Sequence, residues 1–161
     1  MSGAYFIATP RPIIRNMVVS KPTAFGRRPY DYDAFEELGI RGRDEFDGAY
    51  IDALSDLDKI MKGHLYCFFA SIGYYESVKK ISMQHYKESV SSVDMFVQFL
   101  KRHVDEMGEI YLTEQWMGEK KYADTVEIKE MHVEDVKYGK EVADFRFEIG
   151  TIYHFTKKVD T

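Results

Sequence analysis

The chain has little cysteine and no long apolar run, and each scarcity excludes a class of protein. Cys67 is the only cysteine among the 161 residues, so no intrachain disulfide can form and a reducing compartment is favoured. The longest strongly apolar stretch, residues 65–70, is far short of the roughly 20 residues that a membrane helix needs. Residues 1–9 lack the basic start and apolar run of a secretion signal. The composition therefore predicts a soluble, cytoplasmic protein.

Proline is also scarce, and all four prolines lie within the first 29 residues. Proline has no N–H donor and restricts the residue before it. We therefore expect residues 1–30 to form an extended, proline-containing N-terminal segment of one domain that spans residues 1–161. A strand tied into the sheet is favoured for this segment over an arm that packs on a partner, with residues 13–20 as the candidate strand.

Positive charge is outnumbered by negative charge, and aromatic residues are abundant. The net charge of −5 argues against general binding to nucleic acid or to an anionic membrane, which requires a basic surface. Aromatic residues make up 15% of the chain, with 12 tyrosines and 11 phenylalanines. Because aromatic residues favour strands and bury large areas, the core is predicted to be rich in sheet.

Hydrophobic periodicity predicts helices and strands in a fixed order along the chain. Helices are expected over residues 31–38, 49–62, 74–87 and 91–107, and strands over 13–20, 64–70, 109–116, 125–136 and 144–156. Ser91 and Asp94 have the spacing of a capping box for the last helix, and Gly108 is expected to end it. This order predicts an α+β fold, with a mostly antiparallel sheet of about five strands, helices on one face and a C-terminal three-stranded meander.

The last two predicted strands suggest a hairpin with Gly139 at its midpoint. In this register Met131 faces Phe147 and Val133 faces Phe145 on an apolar side. The opposite side carries the charged residues Glu130, His132, Glu134, Arg146 and Glu148. His154 is expected to lie several residue pairs away from His132, and a metal site usually needs more than one histidine. The register therefore predicts a charged recognition surface and no metal or cofactor.

One segment supports a different interpretation. Residues 123–129 resemble the strand of restriction-enzyme-like nucleases that carries a Glu-x-Lys pair, here Glu127 and Lys129. The resemblance implies that Glu114, on the preceding strand, and Glu127 would hold a divalent metal while Lys129 orients the attacking water. Those enzymes normally have an aspartate where this chain has Glu114.

The sequence shows no convergent catalytic set, so we predict a small non-enzymatic module that binds another protein. An inhibitor, an immunity protein or a phage-encoded antagonist would have this acidic, aromatic-rich profile. The nuclease is the first alternative, and the second is a structural subunit that assembles through sheet edges, which leaves a homo-oligomer open. The predicted contact residues combine the hairpin face, the aromatic residue at its turn and an acidic stretch: Glu130, His132, Glu134, Tyr138, Arg146, Glu148, Asp44, Asp47, Asp52 and Asp56.

Overall fold

The structure is a computed structural model. It describes residues 3–13, 22–23, 26–27, 41–42, 60–68, 72–116 and 127–159. The helices predicted over residues 31–38 and 49–62 lie outside these ranges, apart from the end of the second. The same holds for most of the strand predicted at residues 13–20 and for four predicted contact residues, Asp44, Asp47, Asp52 and Asp56.

In the described part of the chain, a mixed six-stranded sheet with one long helix on its face confirms the predicted α+β class. The strands lie in the order β4 (Arg41–Gly42), β5 (His64–Phe68), β1 (Gly3–Thr9), β7 (Glu109–Trp116), β10 (Ile152–Thr156) and β8 (Ile128–His132). Two short pairings lie outside this sheet, β2 (Pro22–Thr23) with β3 (Gly26–Arg27) and β6 (Gly73–Tyr74) with β9 (Phe145–Arg146).

Strand β1 occupies the middle of the sheet, antiparallel to β5 on one side and to β7 on the other. The sequence does not predict this strand, which precedes the prolines at Gly3–Thr9, and the strand predicted at residues 13–20 stays untested because residues 14–20 lie outside the described ranges. The side chains of β1 are buried on both faces: Tyr5 and Ile7 on the helix side, and Phe6 and Ala8 on the other. A strand covered on both faces reads as a nearly continuous apolar run, which is what residues 4–8 show.

Helix α1 (Met83–Met107) packs across the sheet and ends where the sequence predicted. Gly108 follows it with a φ of +90°, a conformation that favours glycine, and its N–H bonds to the carbonyl of Val104. The predicted start at Ser91 is wrong, since the helix begins after Ser82, whose side chain accepts a hydrogen bond from the His85 N–H. Ser91 is an exposed residue inside this helix.

The helix predicted at residues 74–87 is divided. Residues Glu76–Lys80 form a 3-10 helix, and Met83 begins α1. No helix in the described part of the chain combines the length and the apolar character that crossing a membrane requires.

Side chains of α1 pack against the helix-facing side of β7 and β10. Phe96 lies at the centre, with its ring 6.4 Å from Tyr5, 6.1 Å from Phe99 and 6.0 Å from Phe147, measured between centroids. The buried residues of the helix are Val93, Phe96, Val97, Phe99, Leu100, His103 and Val104. On the sheet they meet Ile110, Leu112, Tyr153 and Phe155. This aromatic-rich layer matches the core expected from the composition.

The predicted C-terminal meander is not confirmed. Strand β10, not β8, pairs with β7, and β8 lies at the edge of the sheet, parallel to β10, with Ile128 opposite Ile152. The residues between β8 and β10 form two 3-10 turns, Val133–Asp135 and Gly139–Glu141, and strand β9, which pairs with β6 instead of β8. Parallel neighbours need a connection of about a dozen residues or more, and this segment provides it. Gly139 is therefore not the midpoint of a hairpin.

Candidate functional site

The predicted hairpin face is divided among several elements. Glu130 and His132 lie together on β8, whereas Glu134 lies in the following 3-10 turn, where its Oε2 accepts a hydrogen bond from the Lys158 N–H. Arg146 lies on β9, and Glu148 accepts a hydrogen bond from the Thr151 hydroxyl. The antiparallel register is wrong because β8 pairs in parallel with β10. The assignment of these residues as partner contacts stays a prediction.

Tyr138, the predicted aromatic anchor, is attached to helix α1. Its hydroxyl donates to Asp94 Oδ1 at 2.6 Å and accepts from Gln98 Nε2 at 3.2 Å. Burial, together with the Asp94 carboxylate, raises the pKa of Tyr138. Its ring packs against the core cluster, so the side chain fixes the segment after β8 to the helix.

The parallel register creates a charged cluster that the sequence analysis missed. On the sheet face opposite α1, Tyr111, His154 and Glu130 lie in one row across three strands, and Glu109, Thr156 and His132 lie in the next. We call these six residues the open sheet end. His154 Nδ1 lies 2.6 Å from Glu130 Oε2, and its Nε2 lies 3.0 Å from Glu109 Oε2. The expectation that His154 is remote from this surface is therefore wrong.

His154 contacts three of the other residues of the open sheet end. The imidazole of His154 stacks on Tyr111 with ring centroids 4.3 Å apart. Burial, followed by the charges of Glu109 and Glu130, raises the pKa of Tyr111. The two carboxylates lie on opposite sides of the imidazole and do not converge on one point. Within the described ranges, no group of three histidine, cysteine, aspartate or glutamate residues is arranged to hold a metal ion.

Among the described strands, β8 forms the edge of the sheet beside this cluster. The N–H of Ile152 bonds to the carbonyl of Glu127 at 2.9 Å. Because successive residues of a strand direct their N–H and C=O groups to opposite sides, this bond shows which residues of β8 bond to β10. The backbone groups of Lys129 and Met131 therefore point toward β10, and those of Ile128, Glu130 and His132 point away from the sheet. No described strand pairs with that side. All residues of β8 except Met131 are exposed, including Ile128 at 47%.

The residues proposed for a nuclease are not brought together. Strand β10 separates β7 from β8, so the backbones of Glu114 and Glu127 are about 10 Å apart, two strand spacings. Lys129 extends over the ring of Tyr153, 5.8 Å from its centroid. Glu114 is 4% exposed and pairs with Arg146, with 3.0 Å between Oε1 and Nη2.

Glu114 and Arg146 both line a cavity of about 210 Å³, which we call the Glu114 pocket. Its wall is rich in tyrosine and includes Tyr5, Tyr74, Tyr75, His85 and Tyr86. Glu114 Oε2 is buried and has no hydrogen-bond partner among the described residues. The Tyr5 hydroxyl donates to the carbonyl of Ile72 at 3.4 Å. Burial and the neighbouring Glu114 carboxylate raise the pKa of Tyr5 well above its usual value.

Gly73 allows two strands that contribute to the Glu114 pocket, β6 and β9, to lie close together. A Cβ atom at Gly73 would lie 2.7 Å from the carbonyl oxygen of Phe145, closer than real Cβ contacts allow. The lack of a side chain lets β6 and β9 pair, with Gly73 opposite Arg146. That pairing places the guanidinium of Arg146 against Glu114, which lies 32 residues earlier in the chain.

Stability is expected to fall as the pH rises above about 10, because burial raises the pKa of Tyr5 and of Tyr153 in the folded chain. In the unfolded chain these phenols ionise near 10, so the folded state then binds more protons. Their stabilisation is complete below that pH and is lost above it, at about 1.4 kcal/mol per pH unit for each tyrosine. Urea unfolding between about pH 8 and about pH 11 measures this slope. Tyr5→Phe should make it shallower, and an unchanged slope in that variant would contradict the assignment.

Comparisons with protein-family models, with curated proteins and with solved structures each found no match.

Proposed function

We propose that the protein is a small non-enzymatic module that recognises another protein through the free edge of β8. The observation that carries this proposal is the outward direction of the backbone groups of Ile128, Glu130 and His132 on an exposed strand. Unpaired edge groups form a template for an added strand, and many recognition domains bind extended peptides in this way. The open sheet end lies directly beside this edge and adds side-chain contacts.

Backbone pairing supplies affinity, and the side chains of β8 supply selectivity. Each added backbone hydrogen bond contributes about 0.5–1.5 kcal/mol. Ile128 offers an apolar contact at one end of the strand. Glu130 and His132 follow on the same face, so a bound strand meets an apolar, an acidic and an imidazole side chain in turn.

The charge of the edge selects the partner. Glu127, Glu130 and Glu134 are exposed along this surface, and Lys129 is the basic residue among them. An extended segment with lysine or arginine at alternate positions complements this surface. A second copy paired about a two-fold axis at Lys129 or at Glu130 would place like charges opposite each other, which disfavours these two registers of self-association.

An inhibitor, immunity protein or phage-encoded antagonist of a cytoplasmic target would act through such an edge. The excess of acidic over basic residues and the single cysteine support this assignment. Of the predicted contact residues, Glu130, His132 and Glu134 belong to the proposed surface. Tyr138, Arg146 and Glu148 lie elsewhere in the fold.

Selection of peptides from a random displayed library tests the proposal. We expect enrichment of strand-forming sequences with basic residues at alternate positions, and binding that weakens as salt is added. Failure to enrich such peptides would contradict the proposed edge. Two other outcomes would favour the alternatives: a light-scattering mass far above 18.8 kDa for a structural subunit, and metal-dependent nucleic-acid cleavage lost in Lys129→Ala for a nuclease.

A further inference from the structure

One carboxylate oxygen of Glu114, a residue that lines the Glu114 pocket, has no hydrogen-bond partner among the described residues. Glu114 is 4% exposed, its Oε1 is bound by Arg146, and its Oε2 is buried with no hydrogen-bond partner among the described residues. A buried carboxylate oxygen without a donor is costly, because that oxygen has lost its water and gained no hydrogen bond in return. The oxygen therefore marks a place where a ligand's donor group would be stabilised.

Unused donors lie beside this acceptor. The guanidinium of Arg146 carries five N–H groups, and its described bonds are Nη2 to Glu114 and Nη1 to the Tyr75 hydroxyl, the latter at 3.3 Å. The Arg146 side chain is 43% exposed, whereas that of Glu114 is 5% exposed. The pocket thus offers a buried acceptor beside a more exposed donor group.

We propose that the Glu114 pocket binds a free α-amino acid. The ligand's ammonium group would donate to Glu114 Oε2, and its carboxylate would accept from Arg146. Both contacts are charge-assisted hydrogen bonds, and they lie next to each other because the two protein groups are themselves 3.0 Å apart. A simple amine would be repelled by Arg146 and a simple carboxylate by Glu114, so the pair selects a zwitterion.

The size and the wall of the pocket fit this ligand class. A volume of about 210 Å³ is below the range of roughly 300–1,000 Å³ that is typical of drug-sized ligands. Tyr74, Tyr75 and Tyr86 provide aromatic surface for the amino acid's side chain and for its ammonium group. The pocket lies on the helix side of the sheet and does not include β8, so this inference is independent of the proposed protein-binding edge.

Titration with pools of the 20 common amino acids, followed by NMR of the labelled protein, tests the inference. We expect one pool to shift the amide signals of residues 72–75. The amino acid responsible should bind Glu114→Gln about 10- to 100-fold more weakly, since one charge-assisted hydrogen bond is lost. The exposed variant Glu106→Gln is the matched control and should bind as the unaltered protein does. The N-acetylated form of the same amino acid lacks the ammonium group and should not bind.

Tyr75→Ala keeps the test decisive if Glu114→Gln does not fold, because Tyr75 is 43% exposed at the pocket mouth. It should fold normally and bind about three- to tenfold more weakly. The inference is overturned if no amino acid shifts these signals, or if Glu114→Gln folds and binds with unchanged affinity. Binding of guanosine, used as a neutral planar probe, without binding of any amino acid would also overturn it.

Discussion

Replacing Phe96 with alanine is expected to lower the free energy of unfolding by about 3–5 kcal/mol, the range for a large aromatic side chain lost from a packed core. Phe96 is completely buried and lies where α1 meets β1 and the segment after β9, with its ring near Tyr5, Phe99 and Phe147. Neither a rigid helix nor a rigid sheet can collapse into the space that the ring leaves. The loss in free energy of unfolding should therefore lie at the upper end of the range for single substitutions.

Urea unfolding followed by circular dichroism measures this effect. Ile81→Ala is the control, since Ile81 is 86% exposed and its truncation should change stability by less than about 0.5 kcal/mol. Equal stabilities for the two variants would contradict the placement of α1 on the sheet.

Replacing Arg146 with methionine is expected to lower the free energy of unfolding by about 2–3 kcal/mol, because it leaves the carboxylate of Glu114 buried without a counterion. Methionine keeps much of the apolar stem, so the lost charge dominates the effect. The value lies at the lower end for a buried pair because the guanidinium is 43% exposed.

The double variant Glu114→Gln with Arg146→Met separates charge from packing. Removing the buried carboxylate should restore most of the stability that Arg146→Met alone removes, since an isolated buried charge costs more than a neutral amide. Lys158→Met, at an exposed pair with Asp135, serves as the control and should be close to neutral. A double variant as unstable as the sum of its two single substitutions would contradict a buried, charge-paired Glu114.

The sequence predicts the parts of the fold that depend on local pattern. The apolar stripe from Val93 to Val104 and the glycine at position 108 place the end of α1 correctly. The predicted start of the helix is wrong because it relies on the capping-box spacing of Ser91 and Asp94. The apolar stripe continues on the N-terminal side of these residues to Val90 and Tyr86, which also pack on the core. A capping motif inside a continuing amphipathic pattern does not stop a helix.

The neighbours of β8 could not be predicted, because alternation along a strand is the same in a parallel and an antiparallel pair. Whether β8 pairs in parallel or antiparallel depends on β9. Its residues Phe145 and Arg146 pair with β6, more than 70 residues earlier in the chain. That pairing takes the segment after β8 away from a hairpin and sends Phe147 into the core. The pattern of neighbouring residues cannot predict a pairing between segments that are so far apart in the sequence.

The candidate sites show the same division. The sequence correctly predicts that Glu130 and His132 lie on a strand, and that strand is exposed. The antiparallel register wrongly predicts that His154 is distant from them, whereas its imidazole contacts Glu130. The sequence predicts only that Glu114 lies on a strand. Its burial and its pairing with Arg146 depend on the close approach of β6 and β9 at Gly73. The abundance of tyrosine was the only sequence signal for the pocket wall.

The affinity of a selected peptide for Glu130→Pro, compared with Glu130→Ala, tests the proposed edge most directly. Both variants lose the carboxylate, but only proline removes the outward N–H donor, and proline is tolerated on edge strands. If a partner strand adds to β8, the proline variant should bind about tenfold or more weakly than the alanine variant, since a buried acceptor is left unpaired. Equal affinities, with both variants folded, would contradict recognition through this edge.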